Sequence, residues 1–165
     1  NNYNNKKYNN KYNINNNSNK TSSSSNSSIN TNKFCLDSLE EHNKYRKIHH
    51  APPLKLNDEI CKIAQSYANT LANKYNMLEH SDNCYKNEPL GENLYYSYGM
   101  DASGKAVCAN WYNEIKRHNF NGDYNSGSGH FTQMVWKQTK EVGFGIAKNK
   151  KGEIYVVVII FQQGI

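Results

Sequence analysis

No apolar run in this 165-residue sequence is long enough to cross a bilayer. The longest, Ile154 to Phe161, has eight residues and ends at Gln162, against roughly 20 for a spanning helix, so no transmembrane segment is expected. Cysteine is scarce as well. The four present, Cys35, Cys61, Cys84 and Cys108, contain no CxxC pair. That is too few for a disulfide scaffold and leaves two bridges or four thiols open. Acidic residues are missing altogether from the first 33 positions, which hold 14 Asn, 7 Ser, 5 Lys, 3 Tyr, 2 Thr and 2 Ile. So few apolar groups cannot offset the entropy of ordering a chain. Residues 1–33 therefore read as a disordered Asn/Ser/Lys-rich tail, and residues 34–165 as one globular domain. The tail takes 5 of the 20 basic residues and none of the 14 acids, leaving the domain 15 − 14 = +1. The pI near 9.0 belongs largely to the tail, so nucleic acid is not an expected partner. Sequons beginning at Asn16, Asn19 and Asn26 would be accessible in a secreted chain, although Asn/Ser tracts generate such triplets by chance.

Beyond the tail, periodicity predicts structure from Phe34 onward. Leu36, Leu39, Asn43 and Arg46 share one helical face, Ser38 and Glu41 resemble a capping box, and Pro52-Pro53 stop the helix. A second helix is predicted from about Asn57, carrying Ile60, Ile63, Ala64, Tyr67, Leu71 and Leu78 and running out at His80 to Asn83. A third covers Lys105 to Arg117, with Val107, Trp111 and Ile115 four apart. Val142, Phe144 and Ile146 then alternate with Gly143, Gly145 and Ala147, giving a strand with one flat face that a helix can approach closely. After a turn at Asn149 to Gly152, the run Ile154 to Phe161 lacks alternation, as a strand covered on both faces does. The fold class expected is α+β: a three-layer α-β-α sandwich around a small antiparallel sheet.

Candidate chemistry is sparse. There is no HExxH, no Walker loop and no GxSxG elbow. What remains is His130 after a Gly/Ser loop, Glu92 in Gly91-Glu92-Asn93 where the glycine permits a tight turn, and Glu114 beside core residues. To these are added His80 at the end of the second helix, and His49-His50 at a helix end where cations are favoured. Taken singly, each is more readily a solvated or hydrogen-bonded residue than a ligand.

Taken together, five segments resemble the CAP superfamily of cysteine-rich secretory, antigen 5 and pathogenesis-related-1 proteins. Gly129 to Thr139 (GHFTQMVWKQT) fits its most diagnostic signature. Gly91-Glu92-Asn93-Leu94, Trp111 to Ile115, His42 to Arg46 and Pro52 to Leu56 match further motifs in order. The resemblance spans Leu36 to Gly164 and implies an α-β-α sandwich with a central cavity lined by His80, Glu92, Glu114 and His130. In that family the two His can hold a divalent metal, often zinc. Here His80 and His130 would be metal ligands, with Glu92 and Glu114 behind them. Two imidazoles leave at least half the shell to water, so zinc or another divalent cation would be weakly bound, the more so as the His protonate at acid pH.

The positions at Leu90, in the Ser126 to Gly129 loop and at Val158 lack the Cys common in secreted members. The core is thus most similar to the Golgi-associated, disulfide-poor branch, and four free thiols are expected. The resemblance implies a binding module of the secretory pathway or extracellular space, with a lipid (sterol, fatty acid or phospholipid), a membrane surface or a protein as partner. Tyr95, Tyr96 and Tyr98 could cap a lipid groove, although packing is the favoured role for them. The alternative is a metal-dependent hydrolase of protease or esterase type with Glu92 or Glu114 as general base.

Overall fold

Asn30 starts the first helix. Its Oδ1 accepts from the Lys33 amide at 3.0 Å, and α1 runs Thr31–Ile48. The computed structural model describes residues 29–122 and 126–162. Most of the tail reading, and the sequons at Asn16, Asn19 and Asn26, lie outside those residues. The helix begins three residues before Phe34, and the Ser38/Glu41 capping box is mid-helix. Ser38 is buried, and a Cβ at Gly104 would sit 2.5 Å from its Oγ. The buried stripe is Phe34, Ser38, His42 and Arg46, spaced four apart. Three of its four members, Ser38, His42 and Arg46, are polar, which hides the stripe from a hydrophobicity pattern.

A two-residue strand, β1 (Lys55–Leu56), leads to Asn57, whose side chain accepts from the Glu59 and Ile60 amides and caps α2 (Asp58–Thr70). The second helix ends earlier than its apolar spacing suggests. It widens into a π turn at Leu71–Tyr75 and stops at Asn76, which has left-handed φ 55 and donates its N–H to the Leu71 carbonyl at 2.8 Å. Leu78 is consequently exposed, and His80 lies in a loop rather than closing the helix. A small hairpin, β2 (Cys84–Tyr85) and β3 (Glu88–Pro89), precedes β4 (Gly91–Tyr98). The tight turn expected at Gly91-Glu92-Asn93 is therefore an extended strand. Helix α3 (Gly104–Tyr112) continues as a 3₁₀ turn, Asn113–Arg117. A second 3₁₀ turn, Ser126–Ser128, feeds α4 (Gly129–Val135), and β5 (Glu141–Lys148) and β6 (Glu153–Phe161) follow.

The sheet order is β1-β5-β6-β4. Its three long strands are antiparallel, as expected, whereas β1 runs parallel to β5, pairing Lys55 with Glu141 and Leu56 with Val142. The unbroken apolar run of β6 follows from its place inside the sheet. Val156, Val158 and Ile160 face α1, α3 and α4, with Phe34, Val107, Trp111 and Met134. Tyr155, Val157, Ile159 and Phe161 face α2, with Ile60, Ala64 and Ala68. Each such side chain contributes about 1.5–3 kcal/mol of burial. The flat face of β5 acts as its pattern predicts. A Cβ at Gly143 would lie 2.3 Å from the Ile60 carbonyl carbon, and one at Gly145 2.4 Å from that of Ala64. The α2 backbone rests directly on the strand.

Beyond Val142 no strand among the described residues lies beside the outer edge of β5, and side chains take the strand's place. Cys35 Sγ donates to the Phe144 carbonyl at 3.5 Å. Gln65 donates to the Ile146 carbonyl at 2.9 Å and accepts from its N–H at 3.1 Å, so one amide side chain copies a strand's paired hydrogen bonds.

The HNxxR stretch of α1 supplies three structural devices. Asn43 brackets Leu54, accepting from its N–H at 2.7 Å and donating to its carbonyl at 3.1 Å. Arg46 is fully buried and donates to the carbonyls of Pro52 (2.7 Å), Met134 (3.0 Å), Trp136 (2.8 Å) and Thr139 (3.0 Å). Burial pulls its pKa down to about 10. His42 is enclosed by Trp111 and Phe144, and its Nδ1 donates to the Ser38 carbonyl at 2.8 Å. Its Nε2 is buried with no partner among the described residues.

Desolvation lowers the His42 pKa from 6.5 to about 4. The unfolded chain takes up that proton below pH 6.5 and the folded chain only near pH 4. Stability is therefore unaffected above pH 6.5 and falls as pH drops from 6.5 to 4, by about 3 kcal/mol from this group. Urea unfolding at stepped pH should show that slope, and His42→Gln should flatten it. Gly145→Ala should cost about 2 kcal/mol or more in the same assay, because the added methyl meets backbone rather than a movable side chain.

Candidate functional site

The two edges of β4 residues point into different layers. Glu92, Leu94 and Tyr96 alternate with Asn93 and Tyr95. Leu94 packs in the α2 layer and Tyr95 against the α3 side. At the start of the strand the two layers meet in a cavity of about 440 Å³ lined by His80, Glu92, Asn93, Glu114, Arg117, His130 and Gln133. All four residues that the resemblance pointed to are in its wall.

They form two matched pairs. In one, His80 Nδ1 is 2.8 Å from Glu92 Oε1. That oxygen also accepts from the Ser81 amide at 3.0 Å, and Glu92 Oε2 accepts from Ser81 Oγ at 2.6 Å. In the other, His130 Nδ1 is 2.8 Å from Glu114 Oε1. Glu114 Oε2 accepts from the amides of His130 (2.9 Å) and Phe131 (3.2 Å), and Arg117 lies 3.8 Å from Oε1. Glu114 thus caps α4 from a neighbouring 3₁₀ turn, satisfying N–H groups that a helix leaves open at its start. A carboxylate can only accept, so each neutral His carries its proton on Nδ1 and keeps a bare lone pair on Nε2. The Glu92 side chain is 7% exposed and that of His80 70%, so the carboxylate is an anchor and the imidazole is presented to solvent.

The surroundings hold these groups in place. The ring of His130 stacks on Trp111 at 5.9 Å and 14°, and Asn93 Nδ2 donates to the His130 carbonyl at 3.1 Å. Tyr67 donates its hydroxyl to the Glu79 carbonyl at 2.6 Å, pinning the loop that carries His80. Burial and then the Glu92 charge push that phenol up to about 12. Gln133, Arg117 and Ser81 were not legible as site residues from single positions. Gln133 lies three residues after His130, on the same face of α4. Its buried Nε2 has no partner among the described residues, and a Cβ at Gly91 would come within 2.5 Å of it. The glycine is there for Gln133, not for a turn.

Other expectations are revised. Tyr95, Tyr96 and Tyr98 do not line one groove, because strand alternation splits them. Tyr95 meets Trp111 edge-on at 6.3 Å, Tyr96 meets Tyr155 on the opposite face, and Tyr98 is exposed. His49 is not a cation favoured by a helix end. Burial, then His50 and His118, lower its pKa, and its Nε2 lies 2.9 Å from the Tyr112 hydroxyl. All four cysteines are unbridged in the structure.

As a metal site the pairs fit a narrow role. Among the described residues no three His, Cys, Asp or Glu side chains converge as metal ligands. With both Glu engaged through hydrogen bonds, the cavity offers at most two imidazole nitrogens, each oriented by a carboxylate.

The sequence profile of the cysteine-rich secretory protein (CAP) family matches residues 39–161. The chain belongs to this family. It is 41% identical over 135 residues to the human Golgi-associated plant pathogenesis-related protein 1, covering 81% of this chain and 86% of that protein. It is 35% identical over 113 residues to secreted protein RBT4 of Candida albicans, covering 67% of this chain but 29% of that longer protein. Among solved structures, NaASP2 crystallised with Zn2+ superposes with a TM-score of 0.62 at 23% identity, over 87% of this chain and 85% of that one, and so shares the fold. No helix among the described residues of this CAP domain is long and apolar enough to cross a membrane.

Because Glu114 both holds His130 and caps α4, its loss is structural as well as local. Glu114→Ala should lower stability by about 2 kcal/mol in urea unfolding, and Glu114→Gln, which keeps one acceptor, by about half that.

Proposed function

We propose that this CAP domain is a binding protein of the secretory pathway or extracellular space, with a divalent cation, zinc by preference, held between His80 and His130. The observation that carries this reading is the matched arrangement of the two His–Glu pairs. Both carboxylates occupy Nδ1 and leave both Nε2 atoms as the available donors of one cavity. Imidazole nitrogen suits zinc, and a bound ion would supply a Lewis-acidic anchor for an oxygen of a lipid or protein ligand. With two protein ligands the ion would be reversible and partly hydrated. The half-buried Gln133 amide and Arg117 add hydrogen-bond donors at the same wall, which favours a ligand bearing oxygen acceptors. Names of relatives that are Golgi-associated or secreted support the compartment.

A hydrolase using Glu92 or Glu114 as base is less well supported. Each carboxylate already accepts from three protein donors across its two oxygens. A general base needs an oxygen within reach of the water proton it removes, and here every carboxylate oxygen already accepts from a histidine, a backbone amide or the Ser81 hydroxyl.

Zinc titration by calorimetry tests the reading. Wild type should bind one ion per chain. His80→Ala with His130→Ala should abolish detectable binding, and Glu92→Gln should weaken it by about 10-fold through loss of imidazole orientation. Equal affinity in the double variant and wild type would place the ion elsewhere and overturn the assignment.

A further inference from the structure

Away from the cavity, on the opposite edge of the sheet, two thiols meet. Cys35 projects from α1 and Cys61 from α2, helices that belong to the two different layers, and both line one open groove with Thr31, Asn32, Gln65 and Phe144. The two thiols converge on a single residue of β5, Phe144. Cys35 Sγ donates to the Phe144 carbonyl at 3.5 Å, and a backbone hydrogen bond from Phe144 reaches Cys61. Both cysteines are half-buried rather than sealed, whereas Cys108 is buried and Cys84 stands exposed in the β2–β3 hairpin. Two thiols that face one groove and meet at the same residue of β5 can reach bonding geometry by side-chain rotation.

We propose that Cys35 and Cys61 form a redox-active dithiol, oxidised by a low-molecular-weight disulfide to a bridge that ties α1 to α2. In the first step the Cys61 thiolate attacks one sulfur of the small disulfide, forming a mixed disulfide at Cys61 and releasing one small thiolate. In the second, Cys35 loses its proton to solvent and attacks the Cys61 sulfur, expelling the second small thiolate. Two protein thiols and one small disulfide become one protein disulfide and two small thiols. The order follows from the surroundings. Interaction with the Cys35 thiol, and then with the Phe144 backbone, holds the Cys61 thiol below its usual range, while interaction with Cys61, and then burial, pushes Cys35 up. Cys61 is the attacking group and Cys35 the resolving one.

The bridge would pass around the edge of β5 and join the two helical layers that sandwich it. Residues 36–60 would become a closed loop, restricting the unfolded chain. The change is structural rather than chemical at the cavity: the protein keeps its ligand site and gains a staple at the far edge.

Full-length protein incubated with oxidised glutathione, then alkylated and analysed by mass spectrometry, tests the proposal. The expected result is a fall from four alkylatable thiols to two, one linked peptide pair carrying Cys35 and Cys61, and a Tm raised by about 5 °C. Cys35→Ser should accumulate glutathione at Cys61, and Cys61→Ser should leave Cys35 unmodified. The reverse pattern would overturn the assigned order of attack. Four thiols persisting in excess oxidised glutathione, or a linked pair that includes Cys84 or Cys108, would overturn the proposal itself.

Discussion

The buried guanidinium of Arg46 is the constraint on which the rest of this domain depends. A cation taken out of water is costly unless its donors are satisfied. Here it is met by carbonyls from the Pro52 segment, the end of α4 and the turn into β5. Two of those carbonyls belong to the C-terminal end of α4, where the helix dipole is negative. The one side chain therefore fixes where α1 ends, where α4 ends and where β5 begins. Since α4 carries His130 and Gln133, the position of half the cavity wall is set from behind by a residue that never touches it. His42 and Asn43 extend the same logic along α1, one filling the core beneath Trp111 and the other holding the chain at Leu54.

Much of the fold could be read in the residues because their periods were clean. The Gly/Ala face of β5 and the unbroken run of β6 each have one physical explanation, and the structure has them for that reason. The elements missed are those whose side chains serve something other than the core. Strand β4 begins Gly-Glu-Asn since one residue makes room for Gln133, one anchors His80 and one holds the His130 carbonyl. None of these leaves an apolar alternation to detect. The start of α1 hid in the same way: Asn30, Thr31 and Asn32 look like more tail, and only the cap at Asn30 shows that the helix has begun. Likewise the apolar spacing of α2 continues past the π turn, but a left-handed Asn76 ends it.

The site residues were legible only as a set. Nothing in the neighbourhood of His80 or Glu114 distinguishes them singly, and it is the motif order that brought them together. What order could not convey is the division of labour. Glu92 and Glu114 are similar in being tied to backbone amides, yet one steadies a loop and the other begins a helix. The cavity is assembled from both helical layers across the first residues of β4, so its shape reports the packing of those layers on the sheet.

The opposite edge of the sheet is closed by side chains as much as by strands. A strand of nearly unbroken valine and isoleucine lies one position in from β5, and an uncovered β5 edge would invite another chain to pair with it. Among the described residues a two-residue strand guards that edge, and Cys35 and Gln65 take up the backbone groups beyond it. Closure of that edge thus rests on a few individual side chains rather than on an extra strand. One substitution at such a position would accordingly open a length of backbone to pairing without altering the fold.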